Sequence, residues 1–223
     1  MAIAFSLNFA PMTNKKTGII LITFFILLGA SFLGYYYKVT HEAKKDVLPV
    51  IEGDHGHHVQ PFSFVNQEGK TITNKDVEGK ICVVSYFFAT CKGICPRMNE
   101  NMAKVYKAFR GNSNVLILSH TVDPMKDTVA ALKAYSLRFD ADPEQWMFLT
   151  GDKKALYDMA RYSYLISAED DTTGVNIKDD FIHDKHYSLV DRHGRIRGFY
   201  DGLEQKDIDK LISDINALIN EKE

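Results

Sequence analysis

Apolar and polar positions along the chain fall into three regimes. Residues 17–37, "TGIILITFFILLGASFLGYYY", contain no charge, and their length meets the roughly 20 residues that a helix needs to cross a hydrocarbon core. Residues 38–60, "KVTHEAKKDVLPVIEGDHGHHVQ", are polar with no sustained period and read as a tether. From Pro61 onward the pattern becomes periodic. "PFSFVNQEGKTITN" alternates apolar and polar around a turn-like Gln-Glu-Gly and predicts an edge hairpin. Residues 81–89, "ICVVSYFFA", and 114–122, "NVLILSHTV", are near-continuous apolar runs, the signature of strands covered on both faces. Between them, from Pro96, the residues Met98, Met102, Val105, Tyr106 and Phe109 follow helical spacing, and Gly111 supplies the stop.

Further on, "DPMKDTVAALKAYSLRF" reads as a helix, "WMFLTG" as a short strand and "DKKALYDMARYS" as another helix. "HYSLVD" and "RIRGFYDG", separated by Arg192-His193-Gly194, predict an antiparallel hairpin. Ile208, Leu211, Ile212, Ile215, Leu218 and Ile219 share one face of a final amphipathic helix. The order β-α-β-α-β-α-β-β-α implies an α/β sandwich with a mixed sheet. Its cysteine pair falls at the junction of a buried strand and a helix, where a thioredoxin-like fold carries its active site.

Charge and the N-terminal flanks refine this picture. Lys15 and Lys16 precede the apolar run, and Tyr35, Tyr36 and Tyr37 end it at what would be the far interface. The positive-inside rule, applied to Lys15 and Lys16, favours a cytoplasmic N-terminus, although Lys38, Lys44 and Lys45 on the other flank act against it. The run is longer than a signal-peptide core and no A-x-A site follows, and the lack of arginine in the first 16 residues argues against a mitochondrial presequence. No cysteine follows it that could carry a lipid. The expected organisation is a short cytoplasmic N-terminus (1–16), a retained transmembrane helix (17–37), a tether (38–60) and a soluble domain (61–223). The simplest setting is a bacterial inner membrane with the domain on the periplasmic side. A net charge of −2 and the lack of an arginine cluster or basic aromatic stripe argue against nucleic acid.

The candidate chemistry centres on "FFATCKGICPRMNENM". Cys91 and Cys95 stand four apart, a spacing that lets both sulfurs point to one place at a helix N-terminus. Helix-end charge there is expected to lower a thiol's pKa. Thiolates serve both soft metals and disulfide exchange, and the spacing does not choose between them. A redox dithiol of the thioredoxin type has C-x-x-C, one residue tighter. Cys82, inside the apolar strand, reads as core, as do Met98 and Met102. Of the eight histidines, His55, His57 and His58 lie in the tether, with a solvated linker set against auxiliary metal binding. His193 sits in a hairpin turn and is expected to be exposed; His120 reads as a satisfied core histidine. His183 and His186 remain as candidates to complete a site, and the loop position of His183 favours it over His186.

With these residues assembled, the chain resembles the Sco (SenC) family of copper-binding, thioredoxin-fold proteins that assist assembly of cytochrome c oxidase. The likeness spans nearly all of residues 61–220 and rests on "FSFVNQEGKTIT", "GKICVVSYFFATCKGICPRM", "SHTVDPMKDT", "WMFLTG" and "HDKHYSLVDRHGRIRGFYDG". The resemblance implies copper, as Cu(I) or Cu(II), held by the C-x-x-x-C cysteines and one distal histidine. That histidine stands eleven residues before the glycine of the last hairpin turn, here Gly194, so the matching residue is His183. It further implies a role near the site for Asp123, and cytochrome c oxidase subunit II or a similar copper protein as acceptor. The chain departs from the family mainly at Lys92 and Gly93, between the cysteines. Two functions are compatible with the resemblance: a copper metallochaperone, or a thiol–disulfide oxidoreductase that reduces the cysteines of the oxidase copper site. A thiol peroxidase is disfavoured because Phe88 stands where that family's P-x-x-x-T-x-x-C pattern has threonine. A structural zinc site is disfavoured because only three good ligands are visible.

Overall fold

The computed structural model describes residues 15–42, 48–51, 57–166 and 184–221. Its contacts divide the chain into two units, Met1–Val47 and Leu48–Glu223. In the first, the uncharged run forms part of a single helix, α1 (Lys15–Glu42). The segment Gly18–Tyr37 has a mean hydropathy of 2.2 and buries none of its surface. At 1.5 Å per residue those 20 residues span about 30 Å, the thickness of a bilayer's hydrocarbon layer.

The second unit is a seven-stranded mixed sheet, a thioredoxin-like α/β arrangement. Its strands are β1 (Ser63–Asn66), β2 (Thr71–Thr73), β3 (Ile81–Phe87), β4 (Val115–Thr121), β5 (Trp146–Thr150), β6 (His186–Val190) and β7 (Ile196–Asp201). The spatial order is β2-β1-β5-β4-β3-β6-β7, with β3, β4 and β5 parallel at the centre and the two hairpins antiparallel at the edges. All of β3, β4 and β5 is buried, as runs without polar alternation require. The first hairpin closes at Asn66, whose Oδ1 accepts the Glu68 and Lys70 N–H groups at 3.0 and 2.9 Å.

Alternation along each strand divides the core in two. Ile81, Val83 and Phe87 of β3 join Trp146 and Phe148 of β5 beneath α3 (Cys95–Phe109), α4 (Val129–Ser136) and α6 (Gln205–Asn220). Cys82, Val84 and Tyr86 face the other way, toward α5 (Lys153–Asp158) and the π-helical turn Met159–Ser163 that continues it. A short helix, α2 (Asn74–Val77), links β2 to β3. Cys82, Met98 and Met102 are core residues as expected, between 0 and 4 % exposed.

Three features depart from the sequence reading. The helix expected from Asp123 begins only at Val129. Asp123 and Pro124 open a turn in which the Asp123 carbonyl accepts both Lys126 and Asp127 N–H, and Thr128 then caps the helix through Ala131 N–H. His120 is buried but not satisfied: both ring nitrogens lack partners, and the ring is enclosed by Tyr86, Phe64 and Tyr164 at 5.0–5.4 Å between centroids. The compact unit also starts earlier than Pro61. Leu48 is buried, Ile51 N–H donates to Ile196 O, and Val59 N–H donates to Gly194 O, both at 2.8 Å. Arg197 anchors this segment. Its guanidinium, 1 % exposed, donates to the Leu48 and Pro49 carbonyls and pairs with Asp191 at 3.0 Å and Glu221 at 2.9 Å.

Candidate metal centre

Cys91 and Cys95 stand where β3 hands over to α3. The strand ends at Phe87, the chain turns, and Cys95 is the first helical residue with Pro96 directly after it. Proline suits a first helical turn, because its fixed φ is helical and its missing N–H has no intrahelical partner to lose. Cys91 therefore lies ahead of the helix, not on it. The turn, closed by Cys91 N–H on Phe88 O at 3.2 Å, replaces the predicted helical spacing as the device that brings the sulfurs together. They do converge: both cysteines line one cleft.

The two sulfurs have different surroundings. Cys95 is 6 % exposed, whereas Cys91 is half-buried. Burial pushes the Cys95 thiol up to about 12; the neighbouring Cys91 thiol adds to this, and the Phe88 backbone opposes it without prevailing. The helix end was expected to lower this pKa. It does not, because loss of water around a thiolate outweighs the partial charge of a helix terminus.

Both cysteines open into a cleft of about 300 Å³, lined also by Phe87, Phe88, Val122 and Asp184. Asp184 Oδ1 accepts the His186 N–H at 2.7 Å and lies 2.8 Å from His186 Nδ1. His186, first residue of β6, is thus tied to Asp184 and is not among the residues lining the cleft. His183 lies outside the described residues, as does His55. Asp123 does not line the cleft; its carboxylate pairs with Lys126 at 2.9 Å, and its backbone shapes the turn after β4. In the tether, His57 Nε2 donates to Ser163 O at 2.8 Å and His58 is exposed; His193 is exposed as expected. Among the described residues no three His, Cys, Asp or Glu side chains gather closely enough to hold a metal ion.

Sequence reasoning passed over Asp127. This carboxylate is 1 % exposed, and its Oδ2 accepts Ala89 N–H at 3.1 Å and the Thr121 hydroxyl at 2.5 Å. Burial raises its pKa, against the two hydrogen bonds. The available signal was an acid directly before the capping Thr128, hidden by reading Asp123–Phe139 as one helix.

Comparison with known proteins now bears on this geometry. The SCO1/SenC family model matches residues 52–220. The chain belongs to the SCO1/SenC family. The SCO1 protein homolog of Bacillus subtilis (strain 168) is 29 % identical over 163 residues, covering 72 % of this chain and 82 % of the relative. The structure of BsSco, a member of the Sco family of cytochrome c oxidase assembly proteins in which a disulfide switch was identified, superposes with a TM-score of 0.62 at 27 % identity. It covers 78 % of this chain and 100 % of BsSco. Bradyrhizobium japonicum ScoI, solved with copper bound, shares the fold, with a TM-score of 0.56 at 22 % identity over 72 % of this chain and 99 % of its own. Within the SCO1/SenC family, then, the thiol pair at the head of α3 sits in a sheet of the family's own architecture.

Proposed function

We propose that this chain is a membrane-anchored copper metallochaperone. It carries one copper ion as cargo, held by Cys91, Cys95 and His183, to the dinuclear copper centre of cytochrome c oxidase, with subunit II or a similar protein as acceptor. The observation that carries this reading is the convergence of two thiols on one half-open cleft in a SCO1/SenC family chain. Two sulfurs with one imidazole suit Cu(I), which prefers soft donors, and admit Cu(II), which accepts nitrogen. Metal binding requires both thiols to shed their protons, so loading the site reverses the high pKa of Cys95. His183 directly precedes Asp184 in sequence, and Asp184 lines the cleft. A third ligand borne on the segment before β6 leaves the site easy to open, as release to an acceptor demands. Asp123 contributes by orienting the loop beside the site. The helix over Gly18–Tyr37 anchors the chain in the inner membrane with its domain on the outer side.

A second reading rests on the unequal exposure of the thiols. As a thiol–disulfide oxidoreductase, the chain would use the half-buried Cys91 as its first nucleophile. Its thiolate attacks one sulfur of a partner disulfide and expels the other as a thiol. Cys95 then gives up its proton and attacks the Cys91 sulfur, expelling the second partner thiol. Two electrons pass to the partner, and a Cys91–Cys95 disulfide remains.

Anaerobic Cu(I) titration of the full chain in detergent, with Cys91→Ser, Cys95→Ser and His183→Ala variants, separates these readings. The wild type should bind one copper tightly, and His183→Ala should lose tight binding while still forming its disulfide. A His183→Ala protein that keeps one tightly bound copper removes His183 from the ligand set. A wild type that exchanges thiols but takes up no copper leaves the oxidoreductase reading alone.

A further inference from the structure

Two backbone hydrogen bonds hold the turn that carries Cys91. Phe88 C=O accepts Cys91 N–H at 3.2 Å, and Ala89 N–H goes to Asp127 Oδ2 at 3.1 Å. The first closes the turn on itself, and the second ties it to the loop after β4. Its acceptor is itself held fast. The Thr121 Oγ1 accepts Asp123 N–H at 2.9 Å, so its single proton is left to point at Asp127 Oδ2, 2.5 Å away. Asp127 N–H returns to Asp123 O at 2.9 Å and closes the loop on itself. At the same end, Val122 N–H reaches across to Phe87 O at 2.8 Å, which places this loop beside the end of β3. Lys126 pairs with Asp123, and among the described residues no cation is hydrogen-bonded to Asp127. Its carboxylate is left to its two donors.

We propose that Asp127 is the positioning residue of the dithiol: by accepting Ala89 N–H, it fixes the Phe88–Cys91 turn in the form that brings the two sulfurs into reach. The proposal rests on the reading above only in taking Cys91 and Cys95 as the working thiols. It holds for either function, because ligand preorganisation and disulfide closure both depend on holding the sulfurs at a short, fixed separation.

The test is the thiol–disulfide equilibrium of the full chain in detergent, poised anaerobically against mixtures of reduced and oxidised dithiothreitol and read by thiol trapping. In that exchange two protons and two electrons leave Cys91 and Cys95, and oxidised dithiothreitol becomes its dithiol. Asp127→Ala should shift the equilibrium constant against the Cys91–Cys95 disulfide by about tenfold, the worth of one charge-assisted hydrogen bond. Asp127→Asn keeps an acceptor oxygen and should stay within about twofold of wild type. Ser85→Ala, which removes a buried hydrogen bond to Ser119 away from the turn, should lower the melting temperature and leave the constant unmoved. If Asp127→Ala does not fold, Thr121→Val, which strips the carboxylate of its other donor, should shift the constant severalfold in the same direction. A wild-type constant in Asp127→Ala (or in Thr121→Val as its substitute), or an Asp127→Asn constant as poor as that of Asp127→Ala, overturns the proposal. Cu(I) titration of the same wild-type preparation fails or succeeds separately, so loss of the copper reading is distinguishable from loss of this one.

Discussion

His120 holds an imidazole with no hydrogen-bond partner in a wall of aromatic rings. Burial lowers its pKa from 6.5 to about 3. The neutral ring is tolerated there; the charged ring is not. A depressed folded-state pKa gives stability that is complete above 6.5 and drains as pH falls toward 3, because the unfolded chain takes up a proton that the folded chain refuses. Between pH 7 and pH 5 that amounts to about 2 kcal/mol. His120→Phe should flatten this part of the acid limb, and should also raise stability at pH 7 by relieving two orphaned nitrogens. Denaturant midpoints of both proteins at pH 7, 6 and 5 check it, and parallel acid slopes would rule out His120 as the source.

At the scale of elements, the N-terminal segment Leu48–Ile51 behaves as part of the sheet unit, because Arg197 of β7 binds its carbonyls and Ile51 pairs with Ile196. A chain starting at Leu48 should therefore be more stable than one starting at Pro61, on the order of 3 kcal/mol for the lost burial and hydrogen bonds. Arg197→Met should abolish more than half of that difference, a coupling that a double-mutant cycle by urea denaturation measures directly. None of this was legible in residues 38–60. Their composition is that of a linker, and Arg197, which holds Leu48 and Pro49, lies almost the whole domain away in sequence. The strands and long helices were legible, because "ICVVSYFFA", "NVLILSHTV" and the Ile208–Leu218 face obey burial periodicities that tertiary context did not override. The thiol pair was legible from its spacing and its place after a strand, yet the mechanism of convergence was not. It depends on the turn from Phe88 to Cys91, and through it on Asp127, a contact no period encodes. Likewise the pattern announces that His120 is buried and cannot announce that nothing meets its nitrogens.

At the scale of the whole chain, the two units pose opposite solubility demands. The sheet unit buries most of its large apolar residues in two cores, whereas Gly18–Tyr37 presents large apolar side chains that are 53–72 % exposed. If that helix is a retained anchor, the full chain should stay with membranes through an alkaline carbonate wash, and a chain lacking residues 1–42 should be released. Release of both would show that the segment is removed or does not span. The Arg197 contacts have a further consequence in time. They join Leu48, near the beginning of the sheet unit, to Glu221, at its end, through one side chain. A ribosome delivers these residues in order, and β3, β4 and β5 can assemble while the rest is still being made. The perimeter cannot lock until the last helix has emerged. The bridge from Leu48 through Arg197 to Glu221 can therefore form only once both ends of the sheet unit are present.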